Sequence, residues 1–267
     1  MAQIGKGSTG GSTDGGTHGS SMSLDELVRQ LQAVYGAQLE AVVLYGSAVR
    51  GEDVRGQSDL NVMVIVRELV VDTLRALGQT MRAWQEAGHP PVLTFTSAEW
   101  RASADIFPME YADILEQHRV LAGALPLDGV RVSLGDLRLQ VEQEAMGKLL
   151  RFRRSVMLVG RDHERQLELL RASSSTLLVI FRAVLRLHGE VPPRDTEAVL
   201  QAVARRTGLD PLPFQQGAAL RRGATLDSRE TDLVLSGILA GMTTLVSYLD
   251  RFAPSVPAAA VVPPVQS

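Results

Sequence analysis

Leu44-Tyr45-Gly46-Ser47-Ala48-Val49-Arg50-Gly51, and then Ser58-Asp59-Leu60-Asn61-Val62-Met63-Val64, carry the architecture of this chain. The apolar run Ala41-Val42-Val43-Leu44 halts at Gly46, and a second, almost wholly apolar run extends from Leu60 to Val66. Both read as strands, the second buried on its two faces. Gly46 lets an anionic group approach the backbone closely. The Ser47 hydroxyl and the first amides of a helix starting there can donate to phosphate oxygens. Arg50 is placed either to add a charge-assisted contact or to face solvent. Side chains alternate along a strand, so Asp59 and Asn61 share one face.

Working outward, residues 1–22 are rich in Gly, Ser and Thr and read as a disordered tail. Gly5-Lys6-Gly7-Ser8 within it lacks the earlier glycine, the preceding strand and the following helix of a phosphate loop. Order is expected from Ser23, which with Glu26 forms a capping-box pair ahead of Leu27, Leu31 and Val34 at helical spacing. Glu68 to Ala87 reads as one amphipathic helix broken by His89-Pro90-Pro91, and Val92 to Thr96 as a third strand. A short helix near Trp100, a helix after Phe107-Pro108 and a short strand at Arg119-Val120-Leu121 close a region spanning 23–126. From 127 to 252 no strand pattern remains. Leu134–Val159, His163–Leu187, Asp195–Arg206, Pro211–Arg222 and Ser228–Phe252 read as helices of a bundle, followed by a Pro/Ala-rich tail over 253–267. The expected fold is therefore α/β, a small mixed sheet with helices, followed by an all-α bundle. A cleft between the two parts is the expected ligand site.

Composition narrows the chemistry. The chain has 267 residues, 45% of them hydrophobic but only 4% aromatic, so Leu, Val and Ala must fill the core. A net charge of -3 argues against non-specific nucleic-acid binding, which needs a basic footprint. The absence of cysteine removes disulfides, thiolate metal sites and cysteine nucleophiles together. No apolar run was expected to span a membrane and the N-terminus lacks an apolar signal core, so the expectation is a cytoplasmic protein with no membrane partner.

The Gly46-Ser47 pair, the spacer 48–58 and the Ser58-Asp59-Leu60-Asn61 run on a strand resemble the DNA polymerase beta-type nucleotidyltransferase superfamily over about residues 24–126. That resemblance implies transfer of a nucleoside monophosphate from ATP or another nucleoside triphosphate to a hydroxyl of a small molecule or a protein. It implies paired acids on the strand that hold magnesium, and a third acid on the next core strand. Asp59 takes the first metal-ligand position. Asn61 replaces the second acid, and on the third strand Thr94 or Thr96 stands where the last acid is expected. Asn and Thr offer oxygen but no charge, so the metal site is depleted and a catalytically silent, nucleotide-sensing or partner-binding pseudoenzyme is the alternative. Glu52 and Asp53, in the loop after the helix start, are candidate substitutes. The runs Asp105-Ile106-Phe107-Pro108-Met109-Glu110-Tyr111 and His118-Arg119-Val120-Leu121-Ala122-Gly123 are similar to a group of bacterial nucleotidyltransferase-like proteins with a helical C-terminal domain, in which asparagine at the position of Asn61 is usual.

Other polar residues carry two readings each. Glu110, Asp113 and Glu116 either reach the cleft or line a solvated helix face, the commoner case. His118 beside Arg119 either binds phosphate or complements a helix end. Glu142, with Glu144, is the candidate general base, because some drug-modifying members of the superfamily take one from the second domain. Arg182 and His188 have the spacing of helical ribonucleases, but their apolar neighbours favour a structural helix end. Lys148, Arg151, Arg153 and Arg154 form the main basic cluster. Ser173-Ser174-Ser175-Thr176 either permits close helix packing or lines the cleft.

Overall fold

A computed structural model describes residues 22–50 and 59–253. The tail glycines and Lys6, as well as Glu52 and Asp53, lie outside the described residues. The chain opens with α1 (Leu24–Tyr35), where the Ser23 hydroxyl accepts the Glu26 N–H. β1 (Leu39–Tyr45) runs into the four-residue helix α2 (Ser47–Arg50), and β2 (Asn61–Val66) follows. The single amphipathic helix expected over 68–87 is two helices, α3 (Val71–Ala76) and α4 (Gly78–Glu86), joined at Leu77. Leu77 is buried under the sheet, and turning the chain there lets Trp84 reach the same layer. β3 (Leu93–Thr96), α5 (Ser97–Ala102), α6 (Pro108–Glu116) and β4 (His118–Gly123) complete this part.

The sheet has the order β3-β2-β1-β4. β1 is antiparallel to both β2 and β4, while β2 and β3 are parallel, so the sheet is mixed as expected. Strand alternation divides the core. Val42, Leu44, Val62, Val64 and Val66 face Leu27, Leu31, Tyr35 and Trp84. Ala41, Val43, Met63 and Ile65 face Trp100, Tyr111 and Ile114 of α5 and α6. Trp100 stacks on Tyr111 with ring centroids 4.2 Å apart, and donates from its indole to the Pro126 carbonyl at 2.8 Å. The Tyr111 hydroxyl donates to the Trp100 carbonyl at 2.7 Å, so both large rings are buried with their polar atoms satisfied.

The bundle consists of α7 (Leu134–Val159), α8 (His163–Leu187), α9 (Thr196–Thr207), α10 (Leu212–Arg221) and α11 (Ser228–Arg251). Ser133, Asp162, Asp195 and Asp227 each accept a backbone N–H at the start of a helix. Of the serine run, Ser173 and Ser174 back-bond to Leu169 and Leu170. Ser174 lies against Gly217 of α10, which is the close-packing reading of that stretch. α10 also sits tightly on α11: a Cβ on Gly241 would stand 2.5 Å from the Phe214 ring, and one on Gly237 2.3 Å from Pro213.

One expectation needs correcting. α11 is long and apolar enough, by length and composition, to cross a membrane. Its apolar residues Val234, Leu235, Ile238, Met242, Leu245 and Leu249 are instead part of the bundle core against α7, α8 and α10. The same buried cluster runs without a gap from Met63 and Ile65 through α6 and α7 into α8 and α11, so sheet and bundle share one apolar interior.

Candidate functional site

The end of β1 gathers the residues singled out from sequence. Tyr45 is paired directly with Asn61 of β2 on one side and with His118 of β4 on the other. Asn61, Tyr45 and His118 thus form a row across the sheet, two residues on from Met63 and Val43 and on their face, under α6. Gly46 follows at once with φ +81°, and a Cβ there would lie 3.0 Å from Asn61 Nδ2. Only glycine adopts that backbone without strain and leaves the Asn61 amide in place. The Val49 N–H donates to the Gly46 carbonyl at 3.2 Å, which turns the chain into α2 behind Ser47. Gly46, Ser47 and Asn61 are therefore adjacent, with the exposed Asp59 two residues ahead of Asn61. Arg50 closes α2, and its side chain lies outside the described set.

α6 supplies the acidic side of this region. Burial, and next the fields of Glu110 and Asp113, push the Tyr45 phenol up to about 12. Glu110 accepts from Gln140 Nε2 of α7 at 3.0 Å, and Gln140 Oε1 accepts the Met109 N–H at 2.7 Å. Asp113 and Glu116 do not form an ordinary solvated face. Both bind Arg186 of α8, at 3.0 Å and 2.6 Å, and the Arg186 side chain is only 4% exposed. Burial works against its charge, and hydrogen bonds and fields from Glu116 and Asp113 more than compensate. Sequence reasoning passed over Arg186, which lies in an apolar run between Leu185 and Leu187. The seam between sheet and bundle is occupied here by this cluster and by Gln140.

The remaining candidates scatter. His118 Nδ1 meets the Ile114 carbonyl at 2.7 Å, which ties the ring to the last turn of α6. Glu142 pairs with Arg138 at 3.1 Å. Arg138 also donates to the Phe252 and Leu249 carbonyls at the end of α11. Glu144 pairs with Arg151 at 3.8 Å. Arg182 Nη2 donates to the Arg194 carbonyl at 3.4 Å, while the His188 ring meets the Tyr248 hydroxyl at 2.6 Å and packs on Phe252. That is the structural helix end expected from its neighbours.

The third strand departs from the expectation. β2 and β3 pair Met63 with Leu93 and Val64 with Thr94. Thr94 shares the Val64 face, on the side of Tyr35 and the α1 layer and away from Asn61. The pairing of β2 with β3 begins at Met63 and Leu93, so β3 brings no oxygen-bearing side chain opposite Asn61. Among the described residues no group of three or more His, Cys, Asp or Glu could hold a metal ion. Here Asp59 offers a carboxylate and Asn61 only an amide oxygen. They do not fit a pair of ions held by protein acids.

A solved structure decides the fold: a spectinomycin adenyltransferase from Enterococcus faecialis, determined with ATP and spectinomycin, superposes with a TM-score of 0.54. The fold is a nucleotidyltransferase fold with a helical domain. At 13% identity, over 85% of this chain and 98% of that one, the likeness concerns the fold. No protein-family model and no curated protein matches the sequence. Within the nucleotidyltransferase fold, the Gly46-Ser47 turn and the β2 start occupy the ends of the two central strands, which is where the resemblance read from sequence puts the nucleotide.

Proposed function

We propose that the protein binds a nucleoside triphosphate at the β1–β2 end and transfers its nucleoside monophosphate to a hydroxyl of a small molecule. The observation that supports this reading is the nearness of Gly46 to Asn61, where a Cβ would stand 3.0 Å from the Asn61 amide nitrogen, so that the Gly-Ser turn lies beside the start of β2. The bound ATP and spectinomycin of the structural neighbour support the pairing of a nucleotide with a small acceptor. In this reading Gly46, Ser47 and Arg50 receive the phosphates, and Asp59 with the Asn61 oxygen holds magnesium, which neutralises phosphate charge when bound. The acceptor oxygen forms a bond to the α-phosphorus, the bond from that phosphorus to its bridging oxygen breaks, and pyrophosphate leaves. The hydroxyl proton goes to a carboxylate. Glu142 is the acceptor named from sequence, and in the structure it is paired with Arg138 at 3.1 Å. Glu110, exposed on α6 and held by Gln140, is the second candidate.

A second reading, a silent nucleotide-binding module, is favoured by Asn61 standing where the second acid would serve. Calorimetric titration with ATP and GTP, with and without magnesium, tests the site. Magnesium-dependent binding lost in Asp59→Ala is the expected result, and no binding under any condition overturns both readings. Release of pyrophosphate in an acceptor screen, or its appearance only in Asn61→Asp, then separates transferase from silent binder.

A further inference from the structure

α7 buries Leu137, Val141, Ala145, Leu149 and Phe152 on one face. On the opposite face Leu139, Met146, Leu150 and Met157 are 64%, 42%, 54% and 75% exposed. At 3.6 residues per turn these four fall within a sector of about 40° and make a straight ridge of about 27 Å. Apolar ridges of this kind on a water-facing helix mark interaction surfaces.

We propose that this ridge is the self-association surface of the protein, the α7 helices of two copies packing antiparallel about a two-fold axis near Lys148. Two features commit it to a second copy. The ridge is its own mirror in sequence: around Lys148, Leu139 faces Met157 of the other copy and Met146 faces Leu150. The charges are also segregated. The first half of α7 carries Asp136, Glu142 and Glu144 against one cation, Arg138, whereas the second half carries Lys148, Arg151, Arg153 and Arg154 and no acid. Antiparallel pairing sets the acidic half of each copy against the basic half of the other. On one flank Glu142 meets Arg153, and on the other Asp136 meets Arg161, just past the helix end. A parallel pair would set like charges together and is disfavoured. A two-fold contact of this kind is closed, so it yields a dimer and no larger array.

The full chain in analytical ultracentrifugation across a concentration series is expected to be a monomer–dimer system. Leu150→Glu places a charge in the seam twice per dimer and is expected to weaken association about 100-fold. Circular dichroism confirms that this exposed position leaves the fold intact. Orientation is read by cross-linking, which is clean because the chain contains no cysteine. Leu139→Cys and Met157→Cys chains are expected to cross-link when mixed and not when alone. A chain that stays monomeric at all concentrations, a dimer indifferent to Leu150→Glu, or self-cross-linking of Leu139→Cys alone overturns the proposal. A monomer that binds anionic lipid vesicles through the ridge also overturns it and assigns the face to a lipid surface instead.

Discussion

Arg186 shows how much one side chain does here. It reaches from the last turn of α8 to Asp113 and Glu116 of α6, and so ties the helix lying over the site to the bundle. Its guanidinium is buried, and the two carboxylates hold it in that position. Arg186→Met leaves them without this partner in a largely dry seam. We expect a loss of about 3 kcal/mol, the low end for broken buried pairs because Asp113 keeps some access to water. Urea unfolding measures it, and adding Glu116→Gln should recover part of the loss. Gly46 acts at the same scale by another route: its positive φ and the nearness of the Asn61 amide leave no room for a side chain.

The elements were legible to different degrees. α7 and α8 end where the sequence ends them, at Gly160 and near Gly189, because their caps and apolar spacing agree. The 68–87 segment was misread as one helix because its periodicity carries no mark of the turn at Leu77, a bend set by the sheet above it. The face of β3 was misread because register cannot be counted from sequence: a slip of one residue decides whether Thr94 or Leu93 shares the face of Met63 and Asn61, and the pairing gives that face to Leu93. The Gly-Ser turn was legible because the backbone chemistry of Gly46 singles it out. Arg186 was not, since only the tertiary fold brings Asp113 and Glu116 to it. The α10–α11 contact offers the element-scale test. Phe214 lies where a Gly241 side chain would go, so Gly241→Leu must separate the helices and should cost about 1–3 kcal/mol. A lowered thermal midpoint with unchanged helix content would be the observation.

At the scale of the molecule, stability should depend on acidity through His188. Burial, and next the charge of Arg206, hold its pKa below the ordinary 6.5, while Glu190 opposes them. A group depressed in the folded state stabilises it above the unfolded value and loses that contribution as pH falls through the folded one. The thermal midpoint is therefore expected to fall as pH drops below about 6.5, and His188→Asn should flatten this part of the profile. The interior that runs from Met63 to Val234 also governs how the protein breathes. Amide protons deep in β1 and β2 and those in the middle of α8 and α11 should resist deuterium equally, and should be released by the same rare opening rather than by separate ones.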